Sequence, residues 1–147
     1  MSRTHRLHIL KSMPDALTAF MKVEELIGQS ELDARLRHLI KLRASQINGC
    51  IYCINMHLKE ARQDGETQSR LDQLIVWRQT DLFTPAEKAA LDWTEALTTG
   101  GTNRNLDPLH SRLSEHFTHD QIDALTLAII MINSWNRMQI ANHNMTF

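Results

Sequence analysis

Apolar residues recur every three or four positions along most of the chain, the spacing that places side chains on one face of an α-helix. The sequence contains only 5 Gly and 3 Pro, and it lacks the alternation of β-branched and polar residues that is typical of half-buried strands. The pattern therefore predicts an all-α protein, folded as a single-domain helical bundle of about six to seven helices over residues 1–147.

Capping residues indicate where the predicted helices begin and end. An N-cap side chain or an early proline marks a start, and glycine marks a stop. The clearest start is Thr84 with Glu87 three positions later, a capping box, and Thr118 with Gln121 repeats that spacing. The predicted helices cover residues 12–28, 33–47, 50–64, 67–77 and 84–99, followed by one that opens at residue 107 and a long last one that opens at residue 118.

The long last helix carries more apolar residues than a solvated helix of a monomer would need. Its apolar positions include Ile122, Leu125, Ile129, Ile132 and Met138. Three methionines, Met131, Met138 and Met145, recur every seven residues, a spacing typical of packing in a core or at an interface. We therefore expect part of this helix to pack against another subunit, so that the protein forms a homo-oligomer.

Composition and charge exclude several classes of protein. Apolar residues make up 42% and charged residues 22% of the chain, which is typical of a globular protein. The 16 basic and 17 acidic residues nearly balance, whereas a nucleic-acid-binding protein would need a basic face. No stretch is long enough to span a membrane, and the first residues lack the pattern of a signal peptide. We expect a cytoplasmic protein without a nucleic-acid or membrane partner.

Two cysteines, Cys50 and Cys53, stand three positions apart at the start of a predicted helix. That spacing places them on one face, close enough for a disulfide. A cytoplasmic setting keeps thiols reduced, so a chemical role is favoured over a structural bridge. The start of a helix also stabilises a thiolate, because its free amide groups and its dipole favour negative charge.

Two histidines are the candidate proton carriers for this pair. His57 follows Cys53 by four positions, so on a helix it can take the proton from that thiol. If the helices on either side of Asn48 and Gly49 fold back on each other, His38 lies opposite His57. The order His38, His57, Cys53 would then form a proton relay.

A zinc site on the cysteine pair is the alternative use of these residues. Structural zinc needs four ligands, but the chain has only 2 Cys, and no histidine pair follows at finger-like spacing. We therefore expect neither a bound metal nor another cofactor.

The run from residue 42 to residue 57 closely resembles the alkyl hydroperoxidase D-like (AhpD-like) branch of the carboxymuconolactone decarboxylase-like family. The resemblance rests on Leu-Arg-Ala-Ser-Gln-Ile-Asn-Gly-Cys-x-Tyr-Cys-x-x-x-His, followed by Lys-Glu-Ala-Arg at residues 59–62. It is densest over about residues 30–65, extends to residues 84–97 and 133–137, and is weak before Met13.

This resemblance implies an all-helical protein that assembles as trimers or hexamers and works as a peroxiredoxin-type dithiol peroxidase in antioxidant defence. In the implied cycle Cys53 attacks a hydroperoxide, Cys50 closes the disulfide, and His57 activates the attacking thiol. The implied partners are a hydroperoxide substrate and a dithiol reductant protein, which in this family is lipoylated. The decarboxylase branch lacks the cysteine pair, so decarboxylation is not expected.

The chain departs from the family at the beginning of the relay. The family usually has a glutamate twelve residues before the first cysteine, and here that position is His38. A neutral imidazole orients a second histidine less strongly than a carboxylate does. Two alternatives stay open: a relay of two histidines that supports turnover, or a non-catalytic or weakly active redox sensor and oligomeric interaction module.

Overall fold

The computed structural model describes residues 5–100 and 104–145, and every regular element within them is helical. This confirms the predicted all-α fold. The elements in chain order are α1 (Ile9–Ser12), α2 (Pro14–Gly28), α3 (Ala34–Asn48), α4 (Ile51–Gln63), α5 (Gln68–Gln73), a 3-10 segment (Leu74–Gln79), α6 (Pro85–Thr99), α7 (Asp107–Ser114) and α8 (His119–Asn142). None of these helices is long and apolar enough to cross a membrane.

The predicted capping residues hold the helix ends. Asp33 accepts a hydrogen bond from the amide of Leu36 at the start of α3, and Thr84 and Thr118 each form the predicted capping box. Gly49 closes α3 with φ at +70°, a conformation that side chains with a Cβ rarely adopt. Because α4 begins two residues later, this glycine sets the tight joint between α3 and α4.

The helix predicted over residues 67–77 is interrupted, which the sequence did not indicate. It consists of α5 followed by the 3-10 segment, with non-helical backbone angles at Val76. Leu74 and Trp77 are both buried and lie three residues apart. A 3-10 helix has three residues per turn, so it places both side chains on one face, toward the core.

The centre of the bundle is α3, which packs against α4, α6 and α8. One cluster of buried side chains joins α2, α3, α6, α7 and α8, and another joins α3, α4, α5, the 3-10 segment and α6. A third, small cluster contains Cys50 and Cys53 together with Ala44 of α3 and Ile132 of α8. The two cysteines therefore lie inside the bundle, between its central helix and its longest one.

The apolar face of α8 is covered by the chain itself, which corrects the basis of the expected subunit contact. The residues buried in the chain's own core are Ile122, Leu125, Ile129, Met131 and Ile132. The apolar side chains that α8 leaves exposed are instead Leu127, Ile130 and Ile140. Periodicity alone does not show whether an apolar face is covered by the same chain or by another. The homo-oligomer stays a prediction.

Candidate functional site

The site begins at the joint between α3 and α4. Cys50 is the N-cap residue of α4, and Cys53 lies in the first turn of the helix. The two are joined as a disulfide with a Cα–Cα distance of 5.4 Å, within the range that such bridges require. Both are buried, with 2% and 1% of their surface exposed. The prediction that this spacing permits a bridge within one chain is confirmed.

The free amide groups at the start of α4 affect Cys50 more than Cys53. The amide of Cys53 donates a hydrogen bond to Sγ of Cys50 over 3.3 Å. Because a free amide at a helix start favours negative charge on the group that it contacts, this arrangement favours a thiolate at Cys50. From the sequence alone, the helix start was expected to stabilise a thiolate at either cysteine.

His57 lies one turn after Cys53 on α4, and only 3% of its surface is exposed. Its Nδ1 is 3.1 Å from Oε2 of Glu60, whereas its Nε2 is buried without a hydrogen-bond partner. Burial lowers the pKa of His57 from its usual value, and the hydrogen bond with Glu60 only partly opposes that effect. At neutral pH the ring is therefore uncharged, and with the proton on Nδ1 it keeps a lone pair on Nε2.

Glu60 is the residue that the sequence analysis missed. It lies three positions after His57 on the same helix, and its Oε2 is also 3.8 Å from Nδ1 of His38. The hydrogen bond with His57 lowers the pKa of Glu60, so this carboxyl group is ionised at neutral pH. The three-residue spacing was visible in the sequence, but nothing there distinguished Glu60 from the other acidic residues of the segment.

His38 reaches the same cluster from α3. Ligand atoms of His38, His57 and Glu60 lie within 4.8 Å of one another, as expected when α3 and α4 fold back at Gly49. Nε2 of His38 is 2.6 Å from Oδ2 of Asp64, and its Nδ1 is buried without a hydrogen-bond partner. His57 thus contacts Glu60, and His38 contacts Asp64. Each histidine contacts a carboxylate rather than the other imidazole.

A cavity of about 500 Å³ opens beside Cys53, within the range of small-molecule sites. Its apolar lining residues are Leu17, Met21, Tyr52, Met56 and Trp135, and its polar lining residues are Glu24, Lys41, His57, Glu60 and Gln139. Nζ of Lys41 is 2.7 Å from Oε2 of Glu24, and the indole of Trp135 donates to the other oxygen of that carboxylate. Of the two cysteines, Cys53 lines this cavity and Cys50 is not among the lining residues.

A buried polar network holds the joint against α8. The amide of Asn136, which is fully buried, donates to Oγ of Ser45 over 2.9 Å. Asn48 in turn donates to the side-chain oxygens of Asn136 and Asn133, each over 2.9 Å. These bonds tie the end of α3 to α8, so they fix the residues that precede Cys50.

Comparisons with known proteins agree with this architecture. A sequence model of the carboxymuconolactone decarboxylase family matches residues 14–96. An uncharacterized protein of Bacillus subtilis, YdfG, is 40% identical over 141 residues, which is 96% of each chain.

Solved structures give the same result. A protein of unknown function from Agrobacterium tumefaciens, provisionally named an antioxidant defence protein AhpD, superposes with a TM-score of 0.91 at 37% identity over 98% of this chain and 99% of the other. An uncharacterized peroxidase-related protein from Ralstonia eutropha with an AhpD core superposes at 0.77 over 89% of this chain and 70% of the other. Its 24% identity bears on the fold alone. These findings confirm the resemblance seen in the sequence: the chain belongs to the carboxymuconolactone decarboxylase family, in its AhpD-like branch.

Proposed function

We propose that the protein is a dithiol peroxidase that reduces hydroperoxides through a Cys50–Cys53 cycle and serves in antioxidant defence. One observation carries this proposal: Cys53 faces a cavity that it shares with His57, whose Nδ1 is held by Glu60 and whose Nε2 has no partner. A buried, neutral base one helical turn from a cysteine is the arrangement that activates a thiol.

In the first step the Cys53 thiol gives its proton to Nε2 of His57. The thiolate attacks one oxygen of the hydroperoxide, and the O–O bond breaks. Cys53 becomes a sulfenic acid, and the leaving alkoxide takes the proton back from His57 as an alcohol. Glu60 stabilises the charged imidazole that exists between these two proton transfers.

In the second step the Cys50 thiolate attacks the sulfur of the Cys53 sulfenic acid. The S–O bond breaks, the disulfide forms, and the hydroxide leaves as water after taking up a proton. The amide of Cys53, which contacts Sγ of Cys50, favours the Cys50 thiolate that this step needs.

The disulfide must then be reduced by an external dithiol, such as the lipoylated protein that the family uses. Because the cavity reaches Cys53, the incoming thiolate attacks that sulfur, and Cys50 leaves as a thiolate. The same amide contact at the start of α4 makes Cys50 the better leaving group. The second thiol of the donor releases the mixed disulfide from Cys53.

Position 38 is a histidine instead of the family's usual glutamate, but other residues supply carboxylates to this site. Glu60 provides one to His57 from within α4, and Asp64 provides another to His38. This favours turnover over the loss of activity that the missing glutamate suggested. Both histidines contact a carboxylate instead of each other, so a direct transfer between the imidazoles is not part of the proposal.

A redox sensor is the second candidate, and the burial of both cysteines favours it. A disulfide that external thiols reach slowly would report oxidation without efficient turnover. The disulfide also packs against Ile132 of α8. Opening or closing the disulfide would therefore shift α8 and its exposed face. Assembly into trimers or hexamers and a cytoplasmic location stay predictions under either candidate.

Steady-state consumption of cumene hydroperoxide and of hydrogen peroxide separates the two candidates. We expect turnover with dihydrolipoamide or dithiothreitol as the reductant, and no turnover with Cys53→Ser. A single round of disulfide formation that is never repeated with any dithiol would contradict the peroxidase and support the sensor.

A further inference from the structure

The cluster of His38, His57 and Glu60 has the dimensions of a metal site. Oε2 of Glu60 is 3.1 Å from Nδ1 of His57 and 3.8 Å from Nδ1 of His38. Nitrogen and oxygen ligands that surround Zn²⁺ tetrahedrally at about 2.0–2.2 Å lie roughly 3.3–3.6 Å apart. The two distances from Glu60 bracket that range, and all three ligand atoms lie within 4.8 Å of one another. Side-chain adjustments that bring the two imidazoles closer together would therefore place the three atoms in one coordination shell.

A second observation comes from His38. Its Nε2 is 2.6 Å from the carboxylate of Asp64, and its Nδ1 is buried without a hydrogen-bond partner. Histidine ligands of metals show the same pattern, in which a carboxylate holds one ring nitrogen and the other nitrogen faces the ion. A buried polar atom without a partner is costly, and a bound cation would remove that cost.

The charges around the cluster also suit a cation. Glu60 and Asp64 contribute two carboxylates. The nearby ammonium group of Lys41 opposes positive charge on His57, but it is paired with Glu24 over 2.7 Å. Two imidazoles and one carboxylate with a fourth position open to a cavity are a ligand set that Zn²⁺ commonly takes.

We propose that His38, His57 and Glu60 form a Zn²⁺ site, and that the bound ion switches off the thiol chemistry. This proposal departs from the expectation, drawn from the cysteine pair, that the protein binds no metal. Glu60 and His57 also line the cavity beside Cys53, so water from that cavity can complete the shell.

The inhibition follows from the tautomer of His57, and this part rests on the proposed peroxidase function. When Zn²⁺ takes Nδ1, that nitrogen gives up its proton to solvent and Nε2 gains one, so the neutral ring now carries its proton on Nε2. It can no longer accept the proton of Cys53. Zinc on these three side chains would thus suppress thiolate formation.

Binding is tested on the oxidised protein, because its disulfide removes the thiols as competing ligands. Zn²⁺ is titrated against a chromophoric chelator. We expect one site per chain that His38→Gln and Glu60→Gln each weaken at least tenfold, and that Asp64→Asn, at a half-exposed side chain, weakens about tenfold. His119→Gln removes an exposed imidazole elsewhere on the surface and should leave the affinity unchanged.

Long-range ¹H–¹⁵N spectra of the same oxidised protein report the tautomer of His57. We expect its proton on Nδ1 without metal and on Nε2 with Zn²⁺ bound. Unchanged affinity in His38→Gln, Glu60→Gln and Asp64→Asn, or an unchanged His57 spectrum, would overturn the site. No peroxide is consumed in these measurements, so a failure of the peroxidase proposal leaves their outcome intact, and a failure here leaves the peroxidase proposal intact.

Discussion

Oε2 of Glu60 lies 3.1 Å from Nδ1 of His57, so the buried imidazole receives its carboxylate from within its own helix. The family resemblance implies a glutamate on the preceding helix, at the position that is His38 here. Glu60 lies instead on α4, within the Lys-Glu-Ala-Arg run that the resemblance also covers. We propose that Glu60 takes over the orientation of His57 that the family's usual glutamate provides.

The first prediction concerns the protonation of His57. Burial holds its pKa below the usual value of about 6.5, and the hydrogen bond and charge of Glu60 raise it. Glu60→Gln should therefore lower the pKa of His57 further. NMR titration of the oxidised protein measures this change, with Glu25→Gln at an exposed position of α2 as the control. A pKa that stays the same or rises in Glu60→Gln would contradict the assigned contact.

The same shift sets a pH window for stability. Because the pKa of His57 is lower in the folded than in the unfolded protein, the unfolded chain binds the proton first as pH falls below about 6.5. The free energy of unfolding should therefore decrease below that pH, with no effect of this group above it. Denaturant titrations at pH 7.5 and pH 5.5 should show a smaller loss in His57→Gln than in the wild-type protein.

The second prediction is a rescue between the two helices. In a Cys50→Ser background, Glu60→Gln should slow the alkylation of Cys53 by iodoacetamide about tenfold at pH 7, because the negative charge that stabilises protonated His57 beside the thiolate is lost. Adding His38→Glu restores a carboxylate from the position that relatives use, and the rate should recover.

His38→Glu alone should not speed alkylation, since two carboxylates would then crowd one imidazole. His38→Ala should have a small effect, because His38 makes no hydrogen bond with His57 among the described contacts. A double variant as slow as Glu60→Gln would show that the two positions are not equivalent.

Local signals were enough to predict most of the fold. The capping boxes at Thr84 and Thr118 and the left-handed Gly49 involve residues within a few positions of each other, so the sequence contains all their partners. The joint at Gly49 also brought His38 to His57, because residues equally far from a tight turn face each other.

Tertiary contacts account for what the sequence did not predict. The 3-10 segment exists because Leu74 and Trp77 must both reach the core, and that requirement comes from helices elsewhere in the chain. Glu60 is one of several acidic residues near the cysteines, and only the packing of α3 on α4 brings it between the buried imidazole of His57 and the partly buried imidazole of His38. The burial of α8 likewise depends on the helices that cover it.

The third prediction tests the polar network that holds the joint. Asn136→Ala removes one buried and one partly buried hydrogen bond and leaves a small cavity beside Ser45 and Asn48. The free energy of unfolding should fall by about 2–4 kcal/mol. Asp123→Ala, at an exposed position of the same helix, should change it by less than about 1 kcal/mol. Denaturant unfolding measures both changes. Equal decreases in the free energy of unfolding in the two variants would show that the network does not stabilise the joint.

The central claim is that Cys53 is the thiol that attacks peroxide. Reduced Cys50→Ser protein is mixed with one equivalent of cumene hydroperoxide and the sulfenic-acid trap dimedone, then digested and analysed by mass spectrometry. The account predicts one dimedone adduct, on Cys53, and slow labelling of Cys50 in the matched Cys53→Ser protein. An unlabelled Cys53, or Cys50 labelled as fast as Cys53, would contradict it.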